Sequence, residues 1–132
     1  MKSSLSLPTT SRFAAVTWVG PNGIEIRVYY VNKGDERIRE VCKTGDGGWF
    51  VGALSVKGNP YRVSPGTSIS ASVHYYESKK SYNLRVFSAR DGVDGTNKNN
   101  VAQISSFKFM NDESPEDATW QGNFITDAVA RY

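Results

Sequence analysis

Ile26-Arg27-Val28-Tyr29-Tyr30, followed by Ile38-Arg39-Glu40 and then Gly47-Gly48-Trp49-Phe50-Val51-Gly52, is the stretch on which the fold turns. Apolar side chains recur at Ile24, Ile26, Val28 and Tyr30, with Glu25, Arg27 and Tyr29 between them, which is the period of a strand. Pro21-Asn22-Gly23 before it and Asn32-Lys33-Gly34-Asp35 after it are turn formers. Strands are expected over about 13–18, 24–30, 36–42 and 49–54, joined closely enough for an antiparallel meander.

A looser copy follows: Leu84-Arg85-Val86-Phe87, then Val101-Ala102-Gln103, then Trp120-Gln121-Gly122. Its strands are expected over about 69–76, 82–88, 100–110 and 119–125. Trp18 to Tyr76 and Arg27 to Arg85 are offset by 58, Glu40 to Gln103 by 63 and Trp49 to Trp120 by 71. The growing offset puts insertions at 91–99 and 111–117, both polar enough to be surface loops.

Four short antiparallel strands per repeat is the unit of a β-propeller blade. The expected organisation is a leader over 1–12, a first blade over 13–56 and a connector over 57–68. A second blade over 69–126 and a tail or closing strand over 127–132 complete it. Closed propellers have about four to eight blades, so two blades in one chain imply a ring built from several copies. A self-contained eight-stranded sandwich or barrel is the other architecture this pattern allows.

The chain has 132 residues, 39% of them apolar and 22% charged, which suits a globular protein rather than a disordered or membrane-spanning one. Net charge is +3, and Lys79-Lys80 is the one adjacent basic pair, so nucleic acid is not an expected partner. A single cysteine, Cys42, excludes an intrachain disulfide and is read as a small buried hydrophobe. No secretory signal, membrane-inserting segment or Asn-x-Ser/Thr acceptor is visible, which fits a cytoplasmic product or one released without a signal peptide. No metal-ligand cluster or cofactor motif is present, and the lone His74 has no catalytic partners in sequence.

The repeated residues carry their own chemistry. Arg27 brings a planar fork of donors, Glu40 two acceptors for adjacent hydroxyls, and Trp49 or Trp120 a flat apolar face with an indole N–H. Together these suit a sugar. Singly, each has a plainer structural use: Arg27 and Glu40 as a cross-strand ion pair, the tryptophans as packing. Three other functions stay open at this level: an enzyme, an interaction propeller without sugar binding, and a single-strand nucleic-acid binder.

The strand Ile26–Tyr30, the step Ile38-Arg39-Glu40-Val41-Cys42 and the segment from Gly47 to Leu54 resemble the blade signature of the Aleuria-type fucose-binding lectins of fungi and bacteria. Ala15-Val16-Thr17-Trp18 is similar to that family's first blade strand. The resemblance implies an all-β chain of two propeller blades that trimerises into a six-bladed ring. It also implies multivalent binding of fucosylated glycans without catalysis, metal or cofactor. Sugar would lie between adjacent blades. One site would use Arg27, Glu40 and Ala53, with Trp120 and either Phe107 or Phe109 as aromatic walls. A second would use Arg85 and Gln103, with Trp49 as wall. Two departures stand out: Lys43 occupies a position where the family often has tryptophan, and Gln103 replaces an acid.

Overall fold

The computed structural model describes residues 12–55, 61–90, 103–110 and 119–124. Two four-stranded antiparallel sheets make up the fold. The first has order β1 (Phe13–Gly20), β2 (Gly23–Asn32), β3 (Arg37–Thr44) and β4 (Phe50–Val51). The second has order β5 (Ile69–Tyr76), β6 (Ser81–Arg90), β7 (Gln103–Met110) and β8 (Trp120–Phe124). The leader up to residue 11, the loops at 91–99 and 111–117 and the tail at 127–132 lie outside the described residues. No helix among the described residues is long and apolar enough to cross a membrane.

Local chemistry sets the turns. Gly20 pairs with Gly23 across a two-residue loop, and Gly23 takes a φ of +104° that glycine adopts without steric cost. At the β2–β3 corner the Asn32 Oδ1 accepts from the Gly34 N–H at 2.8 Å and the Asp35 Oδ1 from the Arg37 N–H at 3.1 Å. These are side-chain mimics of backbone turn bonds.

The expected strand over 49–54 is reduced to two residues and followed by a 3-10 turn, Ala53–Ser55. Glu40 explains the break. Its carbonyl accepts from the Gly52 N–H at 3.0 Å and also from the Ser55 hydroxyl at 2.9 Å. The Glu40 N–H in turn donates to that hydroxyl, so a side chain takes over the edge of β3 where the fourth strand would have continued. The start of β3 is covered by the returning connector, through Ile38 N–H to Tyr61 O at 3.1 Å and Val63 N–H to Glu36 O at 2.8 Å.

The core lies between the sheets. Trp18, Tyr29, Val31, Ile38 and Leu54 from the first sheet and Tyr61 and Val63 from the connector pack against Leu84, Val86 and Phe107 of the second. The alternation of β2 is present, but its inward face is Glu25, Arg27, Tyr29 and Val31. Of the apolar set on the other face, Ile24 is 56% exposed, and Phe13 and Val19 on β1 and Val51 on β4 are 64%, 70% and 68% exposed. A strand with polar groups turned inward is stable only if they are partnered, and the partners form the site.

Candidate functional site

Arg27 sits in the middle of β2, where the two hydrogen-bonded neighbours β1 and β3 hold its backbone. Its Nη1 donates to the Glu25 Oε2 at 2.9 Å and to the Ile26 carbonyl at 3.0 Å, with the Lys43 carbonyl at 3.5 Å. The guanidinium carbon lies 4.9 Å from the Trp18 ring centroid and 5.9 Å from that of Phe50, within cation–π range. Glu25 is itself fixed by the Thr44 hydroxyl, which donates to its Oε2 at 2.7 Å. The ion partner of Arg27 is thus Glu25 on its own strand, and not Glu40, the cross-strand partner of the plainer structural alternative. Period two puts residues 25 and 27 on one face, so spacing allows this partner without choosing it over Glu40. Burial works to lower the Arg27 pKa, and the Cys42 sulfur and the hydrogen-bonded Glu25 outweigh it, leaving the value above its ordinary one.

Glu40 stands opposite Tyr29 on β3 and is 3% exposed. Its Oε1 accepts from the Leu54 N–H at 3.3 Å. The Tyr29 hydroxyl lies beside this carboxyl, buried and without a hydrogen bond of good geometry. Burial raises the Glu40 pKa above the usual carboxylate range, against the opposing pull of Tyr29, Leu54 and Arg27. The same burial lifts Tyr29 further above its ordinary value and raises Tyr82. Cys42, 2% exposed, is pushed up to about 12 by burial and by Glu40, so its thiol stays protonated and unreactive. Gly52 is required by close approach: a Cβ there would collide with the Glu40 carboxyl.

Between the sheets these residues line a cleft of about 200 Å³. The first sheet contributes Arg27, Glu40, Phe50 and Ala53, and the second contributes Tyr82, Leu84, Phe109 and Trp120. Four residues expected to act together, Arg27, Glu40, Ala53 and Trp120, therefore meet in one place. Of the two candidate second walls, Phe109 lines the cleft, tilted against Trp120 with 5.6 Å between ring centroids, whereas Phe107 is fully buried against Tyr61. Tyr82 and Phe50 have no signal in the sequence pattern: each reaches the cleft only through the packing of one sheet on the other. Tyr82 is held there by Trp18, 4.8 Å between centroids.

The remaining expected residues lie elsewhere. Trp49 is 45% exposed and outside the cleft. Arg85 is half-buried in the middle of β6, paired with Ser72 and Lys108. Gln103 pairs with Arg90, five positions along β6 from Arg85, and alternation makes that a register position on the opposite face.

The ladders supply the correct correspondence. Arg27 pairs with Cys42 and Arg85 with Lys108; Cys42 pairs with Phe50 and Lys108 with Gln121. Phe50 and Gln121 are 71 apart, the same offset that separates Trp49 from Trp120, so the arginine and tryptophan repeats agree on one alignment. In that alignment Glu40, across from Tyr29, matches Ser106, across from Phe87. Trp18 matches His74 rather than Tyr76, because four residues separate Tyr76 from its partner Ser81 where two separate Gly20 from Gly23.

Chemically the cleft offers a charged donor, a buried carboxyl acceptor and two aromatic faces, the complement of a ring with hydroxyls on its rim and C–H groups on one side. Among the described residues no group of three His, Cys, Asp or Glu is placed to hold a metal ion.

No family model and no curated protein matches the sequence. Solved structures do. The fungal lectin of Aleuria aurantia, described as a six-bladed β-propeller with a novel fucose recognition mode, superposes with a TM-score of 0.64 at 26% identity, over 86% of this chain and 31% of that one. A variant of the same lectin in complex with α-methyl-L-fucoside gives 0.59 at 26% identity, again over 86% and 31%. A fucose lectin from Kordia zhangzhouensis in complex with methyl-fucoside gives 0.54 at 22% identity, over 86% of this chain and 62% of that one, a likeness of fold. The chain spans about a third of the length of the fungal lectin.

Proposed function

We propose that this chain, which belongs by fold and by its blade residues to the Aleuria-type fucose lectins, binds fucose-terminated glycans in the cleft between its two blades, without turnover. One observation carries the reading: Arg27, Glu40 and Ala53 on the first blade face Phe109 and Trp120 on the second across a cleft of about 200 Å³. That volume is below the about 300 Å³ at which drug-sized pockets begin, which suits a single sugar ring. Arg27, locked by Glu25 and backed by Trp18, presents its guanidinium with little rotamer entropy left to lose. The Glu40 carboxyl accepts from a neighbouring hydroxyl. Trp120 and Phe109 take the C–H face, and the sugar's methyl group rests on apolar neighbours such as Leu84.

The ring is part of the same proposal. The outward face of the first blade leaves Phe13, Val19, Ile24 and Val51 more than half exposed, an apolar surface that calls for cover. The second blade already covers the inward face of the first in the manner that a further blade would cover this one. Two blades, matched to 31% of a six-bladed chain, make three copies the closing number. Several weak sites on one ring then act together through effective concentration.

Solution mass combined with titration of methyl-fucoside tests both parts. The expected result is a trimer that saturates with at least one fucoside per chain. A titration without saturable binding overturns the lectin reading, and a monomer overturns the ring.

A further inference from the structure

Tyr82 brings more into the cleft than packing requires. On the alignment that matches Arg85 to Arg27, Tyr82 matches Ile24, and the ladders agree: Ile24 pairs with Val19 and Tyr82 with Tyr75. Isoleucine fills the same place in the first blade, so the repeat needs only an apolar side chain there. The Tyr82 ring meets that need by stacking on Phe109, 6.1 Å between centroids, and tilting against Trp18 at 4.8 Å. Its hydroxyl adds nothing to this packing. The side chain is half-buried and lines the cleft, and the phenol oxygen lies beside the Arg27 guanidinium.

That cation sets the direction of the phenol dipole. A guanidinium attracts the oxygen lone pairs and repels the hydroxyl hydrogen, so the O–H turns away from Arg27 and toward the open cleft. Tyr82 keeps this hydrogen at neutral pH, because burial raises its pKa above the ordinary value against the opposing pull of Arg27. The two carboxyl groups that act on the phenol already accept elsewhere, Glu25 from Arg27 and Thr44, and Glu40 from the Leu54 N–H. Arg27 also has donors to offer. Its bonds to Glu25, Ile26 and Lys43 all leave from Nη1, and Nη2 and Nε hold further hydrogens.

We propose that Tyr82 is a sugar-contacting residue of the fucose cleft, donating its phenol hydrogen to the same hydroxyl oxygen that Arg27 binds. The proposal rests on the fucose reading above. A hydroxyl oxygen has two lone pairs, so Arg27 and Tyr82 together satisfy it. A sugar lacking that hydroxyl leaves both donors without an acceptor in a half-buried place, which costs more than a bond merely not made. Tyr82 thereby sets how strictly the cleft demands a hydroxyl at one corner of the ring.

Calorimetric titration of wild type and Tyr82→Phe, with methyl-fucoside and with its analogues lacking each ring hydroxyl in turn, is the test. Phenylalanine keeps the ring on Trp18 and Phe109, so the unfolding midpoint should change little. Wild type should bind methyl-fucoside about five- to tenfold more tightly than Tyr82→Phe, the size of one hydrogen bond. For one analogue alone, that lacking the shared hydroxyl, the two proteins should converge. Tyr82→Ile, which places the first blade's residue there, should reproduce the pattern. Equal affinity of wild type and Tyr82→Phe for methyl-fucoside overturns the proposal. An equal loss for methyl-fucoside and every analogue also overturns it, since that marks packing and not contact. Saturable binding of methyl-fucoside by wild type in the same preparation assigns either failure to this inference alone. Its absence brings down the inference together with the lectin reading.

Discussion

The two blades share a backbone plan and differ in what they turn toward their neighbour. The first turns a polar set inward, Glu25, Arg27 and Glu40, all less than 9% exposed and each with a named partner. The second meets it with Ile69, Val73, Tyr82, Phe109 and Trp120, an apolar and aromatic surface. The cleft forms where these two unlike faces meet.

Arg27→Ala is the most damaging way to break that asymmetry. Removing one partner of a buried ion pair costs about 3–5 kcal/mol, because Glu25 is left without its cation. We expect a large fall in the unfolding midpoint in urea as well as loss of fucoside binding. Arg27→Ala combined with Glu25→Gln should recover much of the stability and none of the binding. Equal stability of Arg27→Ala and wild type would mean that the pair is not the anchor of the first blade.

Next in size are two glycines with no room for a side chain, one beside the cleft and one against the core. A Cβ at Gly52 would collide with the Glu40 Oε1, and one at Gly122 would meet the Tyr61 ring at 2.8 Å. Overpacking of this kind costs about 1–3 kcal/mol in either place. The readouts should separate: Gly52→Ala displaces the acceptor and lowers fucoside affinity sharply, whereas Gly122→Ala presses on the core, so its stability loss should exceed its loss of binding. Comparable binding losses in both would undo the division between site and core.

The smallest effect, and the most discriminating, is at Glu40. Its folded pKa is raised by burial, so the folded state binds a proton more readily than the unfolded chain. The resulting penalty is absent below the unfolded value and grows as pH rises through the folded one. Glu40→Gln should therefore raise the thermal midpoint at neutral pH, with the gain vanishing in acid, while weakening fucoside binding. Wild-type affinity should also fall as pH drops through the raised pKa, where the carboxyl becomes protonated. A Glu40→Gln protein less stable than wild type at neutral pH would contradict the burial account.

Much of this architecture is legible in the order of residues along the chain. The period-two runs and the Pro-Asn-Gly and Asn-Lys-Gly-Asp turns place seven of the strands to within a few residues. The Arg and Trp repeats align the blades correctly, and Arg27, Glu40, Ala53 and Trp120 come together as expected. The misses have physical causes. Matching Glu40 to Gln103 relies on counting through an insertion, where a ladder slip of one residue exchanges the two faces. The strand expected over 49–54 fails because Ser55 turns back onto Glu40, a contact between distant side chain and backbone that no local propensity encodes. Lys43 stands out in the sequence as a departure, but its meaning depends on Phe109 holding the matching place.

By itself, then, the sequence determined the antiparallel strands and their order in two four-stranded sheets, since alternation and turn chemistry are properties of the chain read along its length. Only the tertiary structure decided which face of β2 is buried, that Glu25 rather than Glu40 holds Arg27, and that Tyr82 and Phe109 close the cleft. These depend on which surfaces of two separate sheets come into contact, and on the desolvation that follows. Distance along the chain carries no record of either.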